Sequence, residues 1–185
     1  NLKEFVEYAR THKVNFGSWA LGSSAHAFAQ ALNDKYKLDI EIVTYKGEAP
    51  MWQDMGSGSL TAAMGSPQAF NALLVKGDIK PIANPARIRS PKLPDVPTID
   101  EAAIKHYEYY TWYGFWYPAG VPAAYVTKLH AETVKAVAAP DVLKRFDDLG
   151  FEGIASDKPA DFAKFVQGDM LAMKKLAAQI GFVPQ

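Results

Sequence analysis

NFGSWALGSSAHAFAQAL, residues 15–32, leaves a short β-type segment, crosses a turn of glycine and serine, and enters an apolar run at helical spacing. The strand reads KVNFG over 13–17, and Ala25, Phe28, Ala29 and Leu32 then fall on one helix face. Strand, tight turn and helix in direct succession form the repeating unit of an α/β sheet. The turn itself, GSWALGSSAH at 17–26, admits four chemistries.

A hydrolase nucleophile elbow needs G-x-S-x-G after a strand, but Gly22-Ser23-Ser24-Ala25-His26 puts histidine where the last glycine belongs. A P-loop needs a lysine followed by serine or threonine, and the turn has neither pair. A third reading makes Ser23 or Ser24 simply the N-cap of a helix over 25–36. A fourth keeps the cap and adds an anion. Unpaired amides and the helix dipole attract a carboxylate or phosphate, serine hydroxyls add donors, and glycines let the anion approach the backbone. His26 in the first helical turn resists protonation there and serves as a neutral donor.

The same alternation continues on both sides. Asn1 caps a helix carrying Leu2, Phe5, Val6 and Ala9, and DIEIVTY at 39–45 is a strand with one more polar face. A helix over 49–55 stops in GSGS. LTAAMGS is then a buried strand leading into the helix PQAFNALLVKG, and IKPIANPA continues the series as a strand. Strands alternating with short helices predict a mainly parallel sheet covered on both faces. In such a sheet the carboxyl ends of the strands share one edge, where ligands bind. Two further glycine turns reach that edge: YKGEAP, with Tyr45, Lys46 and Gly47, and MGSP, with Gly65 and Ser66. Three such turns in register predict a pocket lined by backbone amides.

Past the proline-rich SPKLPDVPT, Thr98 and Glu101 form a capping box. The aromatic run YEYYTWYGFWYPAG at 107–120 follows and is read as core on a strand between two lobes. Helices from Pro122 to Ala138 and Pro140 to Leu149, a short strand FEGIA, and a final helix complete the chain. The final helix places Phe162, Phe165, Val166, Met170, Met173, Leu176 and Ile180 on one face. Apolar helix faces with almost no sheet of their own must cover something that this chain does not wholly supply.

Composition narrows the function. Lysine plus arginine and aspartate plus glutamate number twenty each over 185 residues, a balance without the positive field of nucleic-acid binders. Lack of cysteine excludes disulfides, thiolate zinc sites and cysteine nucleophiles. His12, His106 and His130 stand without a second ligand at metal spacing, and Asp147-Asp148 lies on an exposed helix face, so neither a metal nor a cofactor is expected. Without an initiator methionine or leader, the sequence reads as an internal piece of a longer or processed protein.

These residues resemble the solute-binding receptors of tripartite tricarboxylate transporters, the Bug proteins. The likeness runs through nearly the whole chain: NFGSWALGSSAHAFAQAL for N-Y-G-S-x-G-x-G-S-x-x-H-L, VTYKGEAP for V-P-Y-K-G-x-x-P, RSPKLPDVPTIDEA for R-x-x-x-L-P-D-V-P-T-x-x-E-A, and WYGFWYPAGVP for W-x-G-x-x-A-P-A-G-T-P. The resemblance implies a type II periplasmic-binding-protein-like α/β fold whose two lobes close on a carboxylate. It implies that residues 1–110 are the second, ligand-cleft lobe, 111–120 the hinge crossover, and 121–185 a mostly helical return to a first lobe whose sheet precedes Asn1. Ser18, Gly22, Ser23, Ser24 and His26, with Tyr45, Lys46 and Gly47, match the family's ligand-reaching positions. Trp19 replaces a small residue and MGSP replaces an acidic-polar pair, and both changes predict a more apolar pocket with Trp19 as a wall. The implied protein is a periplasmic receptor, not an enzyme, with a signal peptide upstream. It would deliver a carboxylate with an apolar or aromatic body to integral membrane permease subunits. A sensing module of the same fold, and a hydrolase using Ser24 and His26, are the alternatives. Self-association of the 185-residue chain is expected from its uncovered helices.

Overall fold

The computed structural model describes residues 1–105, 109, 112–149 and 155–179. The chain divides into two compact units, Asn1–Thr111 with Ala177–Gln185, and Trp112–Leu176.

The first unit is built on a three-stranded sheet of β1 (Asn15–Ser18), β2 (Glu41–Thr44) and β3 (Ala62–Ala63), in the order β2-β1-β3. All pairings are parallel, with Phe16 opposite Ile42 and Ala62, and Gly17 opposite Val43 and Ala63. That register separates the core into two layers. Phe16, Ile42 and Ala62 face α1 (Leu2–Thr11) and α2 (Ser24–Tyr36), packing with Leu2, Val6, Phe28 and Leu32. Val43 and Ala63 face α3 (Glu48–Ser57) and α4 (Pro67–Lys76), packing with Met51, Trp52, Leu60 and Leu73. Both faces are therefore covered, as the alternating sequence predicts.

Gly17 sits in the middle of the second layer, where a Cβ would lie 2.7 Å from Leu60 Cδ1 and 2.8 Å from Met51 Cγ. The missing side chain lets α3 approach the central strand. Two asparagines seat the outer strands: Asn33 brackets Ile40 with bonds of 2.9 and 3.0 Å, and Asn15 binds Ser59 O at 2.9 Å and Thr61 N at 2.7 Å.

Helix punctuation follows the sequence. Asn1 and Glu4 form a capping box, Ser23 caps α2, and Gly58 and Gly77 end α3 and α4 in the left-handed conformation. IKPIANPA differs from expectation: it contributes only an isolated parallel bridge, Asn84 with Thr98. Pro81 and Pro85 bring no N–H to a ladder, which explains why no named strand forms there. The bridge leads into α5 (Ile99–Ala102), where Thr98 and Glu101 cap each other. Arg89 bonds Glu101 Oε2 at 2.9 Å and Pro94 O at 3.1 Å, closing the proline-rich block on the helix start. The Thr98 amide and then Arg89 hold the Glu101 carboxyl below its ordinary range.

The second unit carries α6 (Ala123–Val137), α7 (Pro140–Leu149) and α8 (Pro159–Gln179). None of its described residues is buried. Trp112 packs edge-on against Phe162 and Phe165 of α8, with ring centroids 5.6 and 5.7 Å away, and its Nε1 donates to Asp169 at 3.1 Å. The aromatic run is not the buried strand expected of it: residues 112–118 have no assigned strand, and Tyr113 and Phe115 are each 71% exposed. Trp112 and Trp116 both meet Phe162 of α8. Residues 151–154 of the expected strand FEGIA, residues 107, 108, 110 and 111 of the aromatic run, His106 and Ile180 lie outside the described residues.

Candidate functional site

Three parallel strands bring three turns to one edge. β1 is followed by α2, β2 by α3 and β3 by α4. In the order β2-β1-β3 the chain reverses direction between β1 and β3, the crevice where open α/β sheets place ligands.

The β1–α2 turn is internally bonded. Ser18 is fully buried, and its hydroxyl donates to Ala20 O at 2.8 Å and lies 2.9 Å from Ser23 Oγ. With the Ser18 proton so committed, Ser23 is the donor between the two hydroxyls, while its oxygen accepts from His26 N at 3.3 Å. Both serine protons are thus spent inside the turn. The serines shape the turn, and the His26 amide is itself spent on the Ser23 cap.

Gly22 adopts φ +73°, which favours glycine, and its N–H points at His26 Nδ1 across 3.5 Å. An acceptor at Nδ1 leaves the proton of the neutral imidazole on Nε2. Burial lowers the His26 pKa from its ordinary value, favouring that neutral form. Ser24 begins α2 and is only 3% exposed, so its hydroxyl is withdrawn from solvent. Trp19 is half-buried, packs against both core layers, and has its ring 6.4 Å from that of Tyr109.

The β2–α3 turn is tied to the first. Tyr45 N donates to Ser18 O at 2.8 Å, and Gly47 N donates to Trp19 O at 2.9 Å. Gly47 has φ +106° and caps α3 without a side chain, which leaves the helix start open. Lys46 is exposed beside it. Tyr45 serves α3 through its hydroxyl, which donates to Asp54 Oδ2 at 2.7 Å. Burial, then the Asp54 contact, pushes its pKa up to about 12.

The β3–α4 turn already holds a carboxylate that sequence reasoning missed. Glu48 Oε2 accepts from Ser66 N and Ser66 Oγ at 2.8 Å each, and from Trp52 Nε1 at 3.1 Å. Gly65 makes this fit: a Cβ there would lie 2.6 Å from Glu48 Oε2 and 3.0 Å from the Trp52 ring. The turn expected to be apolar carries an acid from the start of α3. Glu48 and Trp52 stand at helical spacing, but nothing in the sequence links Glu48 to Ser66.

Among the described residues no group of three His, Cys, Asp or Glu side chains could hold a metal ion, and no helix is long and apolar enough to cross a membrane. A concavity of about 380 Å³ lies at the opposite edge of the sheet, lined by residues 9–13 and 37–39.

Known proteins share this sequence and fold. The model of a family described as the tripartite tricarboxylate transporter family receptor matches residues 1–182. A UPF0065 protein from the tcbD-tcbE intergenic region of Pseudomonas sp. strain P51 is 33% identical over 169 residues, covering 89% of this chain and 50% of its own. The chain thus spans about half the length of that relative. The solved structure described as R. palustris Rpa4515 with adipate has a TM-score of 0.90 at 28% identity, covering all of this chain and 62% of its own. The periplasmic binding protein BugD has a TM-score of 0.87 at 25% identity, covering 100% of this chain and 63% of its own.

Proposed function

Because the chain belongs to the tripartite tricarboxylate transporter family of receptors, we propose that it captures a small carboxylate in the periplasm and passes it to integral membrane permease subunits. The observation that carries this reading is the β1–α2 turn. The Ser18 and Ser23 hydroxyls are bonded to each other, and burial favours the neutral form of its histidine at the start of α2. A carboxylate there meets first-turn amides and the His26 Nε2 proton, with the helix dipole in its favour. Such a donor set carries no formal charge, which suits a receptor that must release its cargo.

The adipate bound to the R. palustris relative supports a carboxylate ligand. Half-buried Trp19, which joins both core layers beside this turn, supports a ligand with an apolar or aromatic body. Residues 1–110 form the ligand-cleft lobe in this reading, 111–120 the crossover, and 121–185 a return to a first lobe. The chain's share of its relatives' length and the lack of buried residues among those described in the second unit support that division.

The test is thermal unfolding of the complete gene product with hexanoate, alongside ester hydrolysis. The reading expects a ligand-dependent rise in melting temperature and no turnover. Turnover abolished by Ser24→Ala would overturn it.

A further inference from the structure

We infer that Glu48 is a resident carboxylate that denies the β3–α4 turn to a second ligand carboxylate, and so selects against ligands with two acids at this edge. The inference rests on the carboxylate-receptor reading and deepens it.

Two turns flank the reversal between β1 and β3. The first turn of α2, after β1, carries no acidic side chain of its own. The β3–α4 turn offers an amide and a hydroxyl on Ser66 at the start of α4, but both already donate to Glu48 Oε2 at 2.8 Å. Trp52 Nε1 completes a three-donor set at 3.1 Å, about as many hydrogen bonds as one carboxylate oxygen can accept. The acid comes from the α3 start, and the Gly47–Trp19 bond holds that segment beside the β1–α2 turn. Absence of a side chain at Gly65 is what admits it, because a Cβ would meet Glu48 Oε2 at 2.6 Å.

Two like charges cannot share this turn without strong repulsion in a partly desolvated crevice. A ligand whose first carboxylate lies at the β1–α2 turn must therefore present a neutral group toward Ser66. A purely structural cap would do the same work with a neutral acceptor. The charge of Glu48 is the part that bears on selectivity.

Calorimetry on the complete gene product with hexanoate and citrate tests this, comparing the parent with Glu48→Gln. Glutamine keeps an acceptor for Ser66 and Trp52 but removes the charge. The expected result is a citrate-to-hexanoate affinity ratio at least about tenfold higher in the variant, with hexanoate affinity within about threefold of the parent. Glu48→Met supplies a second neutral variant should Glu48→Gln fail to fold, with the same shift in ratio expected. An unchanged ratio in a folded neutral variant overturns the inference while leaving the receptor reading intact. If neither acid binds the parent or the variants, the receptor reading falls and this inference with it.

Discussion

The amide of Gly47 donates to the carbonyl of Trp19 at 2.9 Å, so the turn after β2 is fastened to the turn after β1. Tyr45 N on Ser18 O, at 2.8 Å, extends the parallel ladder to the last residue of β1. The two turns are one structure, and a change in either reaches the other.

Gly47 pays for that junction with φ +106° and ψ 174°, a region essentially reserved for glycine. No atom lies within 4 Å of an added Cβ, so Gly47→Ala meets backbone strain alone. We expect a loss of ~1–3 kcal/mol in urea unfolding. Lys46→Ala, at an exposed neighbour, should stay within ~0.5 kcal/mol of the parent.

Gly17 presents the opposite case, ordinary backbone and no room. Gly17→Ala drives a methyl against Leu60 and Met51, 2.7 and 2.8 Å away. The expected cost is ~1–3 kcal/mol of unfolding free energy. Adding Leu60→Val should return part of it, because the clashing Cδ1 is removed.

His26 makes stability depend on pH. Burial lowers its folded-state pKa below the ordinary 6.5, so the unfolded chain takes up this proton at higher pH than the folded chain. Stability present above that value is therefore lost as pH falls through it. Between about pH 7.5 and pH 5, His26→Gln should lose less unfolding free energy than the parent. A steeper loss in the variant would contradict the sign.

Tyr45 separates stability from binding. Tyr45→Phe removes the 2.7 Å bond to Asp54, which costs ~1–3 kcal/mol because the Asp54 oxygen loses its donor. Since that hydroxyl is spent on α3, ligand affinity of the folded variant should match the parent in calorimetry. A tenfold loss of affinity would place Tyr45 at the ligand.

Sequence pattern made the first unit legible because caps and turns are local. Asn1 with Glu4, Ser23, and Thr98 with Glu101 each cap the helix they announce. The strand ends that define the site edge follow from the alternation of strands and helices. What the sequence hid is non-local. Alternation along DIEIVTY suggested a more polar face, yet Val43 packs in the second layer because α3 and α4 cover that side. The Ser18–Ser23 bond spends protons that composition alone would assign to a ligand. Glu48 reaches Ser66 only because α3 and α4 pack together and Gly65 leaves space. No spacing rule in the chain encodes that meeting.

The most direct test of a neutral carboxylate cradle at the start of α2 is calorimetric titration of hexanoate into the complete gene product and its His26→Ala variant. Loss of the Nε2 donor should weaken binding about tenfold or more while the variant remains folded. Undiminished affinity in folded His26→Ala would contradict the assignment of this turn as the carboxylate site.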